Sequence, residues 1–390
     1  MKPTIQSIFS IAYEKYRSSN WVPNHIHKAA WNIMNCRTAR LGGHRQVCPD
    51  GHFERNHYNS CGHRICPQCA FLRIQRWYVK QRERLLACDH YHIVMTVPHE
   101  LNILWRLNPY AMGKIYFRAA RETLLTLLGD KKFMGAKPGI IAALHTSTRT
   151  LALHPHVHCL VTGGGIKNAE WVKCKKKILL PFKVIAKLFR GKVRDFTQKA
   201  LAKGSLFLPK GSRLQEWKDE LNRLGRVKWR VRVMEKYSHG KGVISYLARK
   251  LRGGPILNSR IISVTENAVE FHVDREKNLT MSLPPVEFIS RYLQHVLPPR
   301  FISVRSWGIY SNSARKGDFA ICRKLFGQPE FVRDEKSMEW TDVLAACLPA
   351  NAPRVWVCPV CGKKLVDRPL QESVIFNTSR DPPDRMDRAA

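Results

Sequence analysis

His156 and His158 are the residues of this chain best suited to bind a metal ion. They lie in segment 153–161, LHPHVHCLV, which reads as a strand that ends at Gly163-Gly164-Gly165. Because side chains alternate across a strand, the two imidazoles share one face and lie about 7 Å apart. Two imidazoles at this spacing can converge on one divalent cation and leave its other positions open. The alternative is a pair of ordinary surface histidines.

A third protein ligand is expected beside this pair, and two more histidines are candidates. His154 lies two residues before His156 and shares its strand face. His145 follows the apolar segment 139–144, the preceding predicted strand. Pro155 removes a donor from the ladder, so the histidine-rich strand is predicted to be a sheet edge or to begin irregularly.

The charge of the chain indicates a polyanionic partner. Its 390 residues include 66 Lys and Arg against 30 Asp and Glu, a formal net charge of +36. An excess spread over several predicted elements favours nucleic acid over a membrane. No run of about 18 apolar residues is present, and the N-terminal MKPTIQ lacks the apolar core of a signal peptide. The 12 Cys are therefore interpreted as metal ligands and reduced core thiols.

Tyr246 is the candidate nucleophile of the chain. It lies in a predicted helix, in the segment GVISYLARK at 242–250. A phenol with a pKa of about 10 attacks an anionic phosphodiester poorly, but a divalent cation can polarise the phosphate and orient it for in-line attack. The attack would form a phosphotyrosine that conserves the energy of the broken bond. The alternative is a core tyrosine packed beside Val243 and Leu247.

A cluster of cysteines and histidines in the first 70 residues predicts a structural zinc site. It contains a C-x3-H pair and a C-x2-C pair, and each pair can wrap a tight turn around the ion. The candidate ligands are Cys48, His52, Cys61, Cys66 and Cys69, with Cys36 and His63 as further candidates. The spacing leaves open which four bind.

A second C-x2-C pair lies near the end of the chain. Cys358 and Cys361 are followed by Gly362, which permits a tight turn, so the pair is a candidate half of another zinc knuckle. Its partners are expected to be Cys322 and Cys347, although their spacing forms no motif.

The remaining pattern predicts an α+β fold on an antiparallel sheet, since short strands alternate with helices. Strands are predicted at 91–97, 139–144, 153–162, 229–233, 260–264 and 269–273, and helices at 73–86, 112–128, 182–203 and 285–297. The predicted regions are a zinc-binding, DNA-contacting domain at 10–87, a nuclease domain at 88–310, a C-terminal region at 311–375 and a disordered tail at 376–390. The basic side chains predicted to contact DNA are Arg73, Arg76, Lys80, Arg230, Arg232 and Arg249.

These motifs, in this order, resemble the HUH-type rolling-circle transposases of bacterial insertion sequences, in the group with an N-terminal zinc-binding domain. The resemblance covers most of the chain. It rests on the cluster at 48–69, IVMTVPHE at 93–100, TLALHPHVH at 150–158, TGGG at 162–165, the Tyr246 helix, FISRYLQHVLP at 288–298 and CPVCG at 358–362.

The resemblance implies an antiparallel-sheet HUH endonuclease domain flanked by helices and preceded by a small zinc-binding domain. It implies that His156 and His158 bind Mg or Mn, and that Tyr246 forms a 5′-phosphotyrosine intermediate. The implied partners are single-stranded ends of the element and their terminal hairpins. We therefore expect structural Zn, a cytoplasmic, nucleoid-associated bacterial protein and no membrane partner; the sequence leaves the oligomeric state open.

The chain departs from the family pattern at three places. Many relatives carry a second tyrosine one helical turn after the first, where this chain has Lys250, so we interpret it as a single-tyrosine member. Relatives tend to have Cys where Gly51 stands, which favours His52 as a zinc ligand. The expected Trp-Gly after His145-Thr146 is replaced by Ser147-Thr148.

Three other functions fit parts of this pattern. A catalytically decayed transposase would bind DNA through its zinc domain and basic surface without cutting it. A plasmid replication initiator or relaxase would use the same chemistry on another substrate. A metal-dependent hydrolase would use His156 and His158 with water and would not need Tyr246.

Overall fold

The computed structural model has an α+β architecture with three antiparallel sheets, which confirms the predicted fold class. The structure describes residues 3–174, 179–237, 254–331 and 356–370, together with 242, 244, 248 and 343. Tyr246, Arg249, Lys250 and Cys347 lie outside the described residues, as does the tail predicted at 376–390.

The described helices are α1 Ile5–Ser19, α2 Asn24–Asn35, α3 Pro67–Arg84, α4 Asn102–Leu107, α5 Pro109–Gly129, α6 Phe182–Ala202, α7 Leu214–Leu224, α8 Pro285–Leu293 and α9 Asp318–Leu325. The described strands are β1 Gly43–Val47, β2 Glu54–Tyr58, β3 His90–Thr96, β4 Lys137–Ser147, β5 Leu153–Lys167, β6 Glu170–Lys173, β7 Val231–Tyr237, β8 Ile261–Val264, β9 Val269–Asp274, β10 Leu279–Leu283, β11 Val304–Gly308 and β12 Val366–Pro369. Short 3-10 turns occupy Ala39–Leu41, His99–Leu101 and Asn258–Arg260.

The central element is a six-stranded sheet in the order β11-β4-β5-β3-β7, with β6 paired to β5. Alternate residues of its inner strands, such as Ile93, Leu144 and Val157, point to one face and form the largest buried cluster. Helices α5 and α6 cover this face. The apolar stripe predicted for α6 is buried from Ile185 onward, whereas Phe182 is 54% exposed because it is the first residue of the helix. The opposite face carries the histidines.

Strand β5 lies inside the sheet, so the alternative of a sheet edge at Pro155 is wrong. The other alternative, an irregular beginning of this strand, is confirmed. Between the pairs His145↔His156 and Ser147↔Leu153, β5 contains one more residue than β4. Pro155 lies in this bulge, where the ladder does not require an N–H from every residue.

The N-terminal helices share their core with a part of the chain that is far away in sequence. Helix α1, which begins at the capping box of Thr4 and Ser7, packs against α8. One buried cluster joins apolar residues of α1 and α2 to Phe271 and Phe288, from strands β8–β10 and α8. The predicted boundary at 87/88 therefore does not separate the cores, because residues 256–296 pack with the N-terminal helices.

The first half of the zinc-binding region is connected to the end of the chain. Strand β1 pairs with β2 on one side and with β12 on the other, and both pairings are antiparallel. The β1–β12 register places Arg45 opposite Arg368 and Val47 opposite Val366. The segment predicted as a separate C-terminal region thus contributes an edge strand to the N-terminal sheet.

Candidate metal centre and nucleic-acid interface

Three histidines converge on one face of the central sheet. One ring nitrogen from each of His145, His156 and His158 lies within 4.8 Å of the other two. His145 lies directly across the ladder from His156, and the ring centroids of His156 and His158 are 4.7 Å apart. Three neutral imidazoles on one sheet face fit a divalent transition-metal ion and leave positions for water or substrate. The donor set suits Mn²⁺ better than Mg²⁺, which prefers oxygen ligands.

Hydrogen bonds hold one ring nitrogen of His156 and one of His158. Nδ1 of His156 donates to the carbonyl oxygen of His154 at 2.6 Å. Nδ1 of His158 lies 2.9 Å from Nε2 of His92, on the neighbouring strand β3. When Nδ1 carries the proton, each ring presents its Nε2 to the same point, the arrangement in which an outer partner fixes a metal-binding histidine. His92 was not predicted from the sequence; its only signal is a histidine at alternating spacing in a neighbouring strand.

His92 is therefore expected to position His158 rather than to bind the metal itself. We expect His92→Leu to weaken Mn²⁺ binding by about 10- to 100-fold, because His158 loses the partner that fixes its ring. His92→Gln keeps an acceptor and should restore most of the affinity. Calorimetric titration with Mn²⁺ measures this, and thermal unfolding of both variants separates it from a loss of stability. Equal Mn²⁺ affinity in the wild type and the Leu variant would contradict the role.

His154, one of the two candidates for the third ligand, is not in the group of three. Its ring lies beside His156, with 5.3 Å between centroids, and is half-buried. Burial lowers the pKa of His154, and the positive charge of Arg230 lowers it further. The bulge at Pro155 separates His154 from the regular ladder, whereas the ladder brings His145 opposite His156.

Two of the predicted DNA-binding arginines lie on the histidine face of the sheet. In the registers of β3, Val94 pairs with both His158 and Arg232, so these two side chains share a face. Arg230 lies next to Thr96, which pairs with His156. Both arginines are exposed. They form a positive edge beside the three histidines, where a phosphate backbone can lie.

Helix α3 of the zinc-binding region lies next to the three histidines. Arg73 and Trp77 of this helix line a cavity of about 270 Å³ together with His145 and His295. Arg73 and Lys80 are exposed, whereas Arg76 is half-buried. A cationic and an aromatic side chain next to a histidine of the candidate metal centre are suited to one nucleotide of a single strand.

In the segment 242–250, which contains Tyr246, the structure describes Gly242, Ile244 and Ala248. Ile244 belongs to the buried cluster that includes Ile141, Ala143 and Leu160 on the histidine face of the sheet. Ala248 is buried with Ile74 of α3. The described neighbours of Tyr246 on both sides thus pack between α3 and the histidine face.

The predicted zinc ligands separate into two clusters. One contains Cys36, Cys61, Cys66 and Cys69, whose Sγ atoms lie within 4.8 Å of one another. Cys66 is the residue before α3, so this cluster determines where the helix begins. The hydrogen bond with Cys36 lowers the pKa of the Cys69 thiol far below its usual range and raises that of Cys61. Such unequal sharing of protons is expected of four close thiols, and a zinc ion would stabilise them as thiolates.

Cys48 and His52 are not part of that cluster, so a single site joining them to Cys66 and Cys69 is wrong. They lie with Cys358 and Cys361. The predicted partner Cys322 is instead buried in the apolar cluster against the central sheet. Cys36 could not be selected from spacing, because 24 residues separate it from Cys61.

Comparison with known proteins finds two families, one that matches the region of the first cysteine cluster and one that matches much of the region of the central sheet. Residues 8–97 match a family described as "Transposase zinc-binding domain", and residues 139–317 match one described as "Putative transposase". The chain is 32% identical over 338 residues to "Putative transposase y4qJ" of Sinorhizobium fredii, with 83% of this chain and 84% of the relative covered. The chain belongs to the IS91-type transposase family. The transposase is also 28% identical over 290 residues to "Transposase for insertion sequence element IS801" of Pseudomonas savastanoi pv. phaseolicola, covering 72% and 69% of the two chains.

The first match, over residues 8–97, gives the cysteines of that region a role in binding structural zinc. No solved structure matches the chain. Within the described part of the transposase, no helix is both long and apolar enough to cross a membrane.

Proposed function

We propose that this transposase nicks and rejoins single-stranded DNA at the ends of an insertion sequence, through a 5′-phosphotyrosine intermediate on Tyr246. The observation that carries the proposal is the group of three imidazoles on a sheet face bordered by Arg230 and Arg232. A divalent cation bound there would polarise the scissile phosphate.

In the proposed reaction, Tyr246 acts first as the nucleophile and then as the leaving group. The phenolic oxygen of Tyr246 forms a bond to phosphorus, the bond from phosphorus to the 3′ oxygen breaks, and the departing 3′ oxygen takes up a proton. The phenolic proton passes to solvent. In the second step the oxygen of a free 3′ hydroxyl forms a bond to phosphorus and loses its proton to solvent, while the bond from phosphorus to the phenolic oxygen of Tyr246 breaks and that oxygen takes up a proton from solvent. His145, His156 and His158 keep their geometry throughout, since their strands are hydrogen-bonded to one another.

The path of the DNA follows from the charges around the histidines. Arg230 and Arg232 would neutralise phosphates on the β7 side, and Arg73 would do so on the α3 side. Trp77 would stack on a base. Ile244 and Ala248 pack between α3 and the histidine face, which supports an attack by Tyr246 on a phosphate bound at this face. Recognition of terminal hairpins is proposed from the family resemblance.

The test is the formation of a covalent protein–DNA adduct. Purified transposase is mixed with a 5′- or 3′-labelled single-stranded oligonucleotide that carries the element's own end, with Mn²⁺ or Mg²⁺, and analysed after denaturation. We expect an adduct with the 3′-labelled strand, faster formation with Mn²⁺, and none with EDTA or with the blunt duplex of the same sequence. The duplex is the matched control for single-strand specificity.

Two results would favour the other functions. Cleavage without an adduct indicates a metal-dependent hydrolase. Tight binding of the oligonucleotide with neither cleavage nor adduct indicates a decayed transposase that acts as a DNA-binding protein. The replication initiator is disfavoured by the match to the transposase family.

A further inference from the structure

A second group of metal-type ligands joins residues from the two ends of the chain. Cys48, His52, Cys358 and Cys361 each place one ligand atom within 4.8 Å of the others. The Sγ atoms of Cys48 and Cys361 are 3.5 Å apart, and the Sγ of Cys48 is 3.9 Å from Nδ1 of His52. Ligands of a tetrahedral zinc ion with 2.3 Å bonds lie about 3.8 Å apart. A disulfide requires about 2.05 Å, so the spacing fits a metal ion and not a covalent bond.

Each half of this group is a tight turn that ends at or beside a glycine. In CPDGH, the Gly51 amide donates to the carbonyl oxygen of Cys48 at 3.0 Å; in CPVCG, the Gly362 amide donates to that of Cys358 at 2.9 Å. Both glycines have positive φ, 76° and 72°, a conformation that other residues adopt at a cost. The Val360 amide also points to Cys358 Sγ at 3.4 Å, a contact that stabilises a thiolate. Each turn therefore presents two ligands to one point.

Within the described residues, the other contacts of segment 356–370 are the pairing of β12 with β1, polar contacts of Asp367 with Gln46 and His44, one ion pair and a small apolar cluster. All four residues of β12 are exposed, and the local apolar cluster contains only Cys48, Cys358 and Leu365, with Phe53 beside it. An ion pair joins Lys363 to Asp50 at 2.8 Å, but both side chains are partly exposed, so its contribution is small. So small a sheet with so little apolar burial usually needs a metal ion to be stable.

We propose that Cys48, His52, Cys358 and Cys361 bind a second structural zinc ion. This ion stabilises the pairing of β12 with β1 and so connects segment 356–370 of the transposase to its zinc-binding domain. The ion stabilises a connection between segments about 300 residues apart, whose closure costs conformational entropy. The transposase then contains two zinc ions per chain, one in the four-cysteine cluster and one in this site of three cysteines and a histidine. The site is independent of the proposed cleavage chemistry.

The first test is the zinc content of the full-length chain, purified without chelator and measured by mass spectrometry of the metal. We expect two zinc ions in the wild type and one in His52→Ala and in Cys361→Ser. Because His52 and Cys361 are exposed, these substitutions disturb no core. His52→Cys supplies another zinc ligand at the same place and should retain two. Cys174→Ser, outside both clusters, is the matched cysteine control and should also retain two.

Hydrogen exchange shows which strands lose stability when this zinc ion is lost. In Cys361→Ser, amides of β1 and β12 should exchange at least tenfold faster, while those of β3–β5 keep their wild-type rates. The proposal is overturned if Cys361→Ser and His52→Ala keep two zinc ions, or if the wild type holds one zinc ion that both variants retain. It is also overturned if zinc is lost with no change in the exchange of β1 and β12, since the ion would then not fasten them.

Discussion

Replacing His145 by alanine is expected to lower the rate of Mn²⁺-dependent adduct formation by about a thousandfold, whereas His154→Ala should change it only a few-fold. A thousandfold corresponds to about 4 kcal/mol of transition-state stabilisation, within the range that a correctly held cation supplies. His145 has this effect because its ring nitrogen converges with those of His156 and His158. His154 lies outside the group, although it is closer in sequence.

The two substitutions form a matched pair, since both remove a half-buried imidazole next to His156. Rates are measured over a range of Mn²⁺ concentrations, and thermal unfolding shows whether either variant loses stability. His145→Ala should also bind Mn²⁺ more weakly in calorimetry. If His154→Ala loses the activity and His145→Ala keeps it, the third ligand is His154, and the pairing of His145 with His156 does not identify the ligand.

Local patterns of the sequence were enough to predict most of the central sheet. The alternation around His156 and His158 places their shared face correctly because a strand has a fixed period of two, whatever its neighbours. The strand predicted at 229–233 overlaps β7 only from Val231, but Trp229 and Val231 are buried and Arg230 and Arg232 are exposed, as the alternation predicts. Helix α5 is predicted to within three residues, since its periodic apolar positions extend over nearly its full length.

Spacing could not select the long-range partners: it gave His145 only as one of two candidates for the third ligand, and it did not indicate His92 at all. His145 and His92 are selected by strand register, which aligns them with His156 and His158 only after β3, β4 and β5 have paired. Cys48 and Cys358 are brought together by the pairing of β1 with β12 across nearly the whole chain. A short C-x2-C or C-x3-H motif identifies half of a site and says nothing about which other half completes it.

Tyr246→Phe is expected to abolish the adduct, with a loss of about 10⁴-fold or more, because the substitution removes the one oxygen that would bond to phosphorus. The ring remains, so packing near Ile244 and Ala248 should be preserved and thermal unfolding should change little. Binding of the labelled oligonucleotide should also stay within a few-fold of wild type. The measurement is the fraction of labelled strand retained with the denatured protein in the presence of Mn²⁺.

Two further substitutions test whether the loss of the adduct is specific to Tyr246. Tyr237→Phe removes a hydroxyl from the end of β7, nine residues earlier, and should keep the adduct. Lys250→Ala alters the position where many relatives have their second tyrosine and should also keep it, because a single-tyrosine mechanism needs no group there. An adduct that survives in Tyr246→Phe would place the nucleophile elsewhere, and peptide mapping of the linked residue would identify it. An adduct lost equally in Tyr246→Phe and Lys250→Ala would mean that the segment, rather than the phenol, is needed. Only loss in Tyr246→Phe alone is consistent with attack by one tyrosine on a phosphate held at the three histidines.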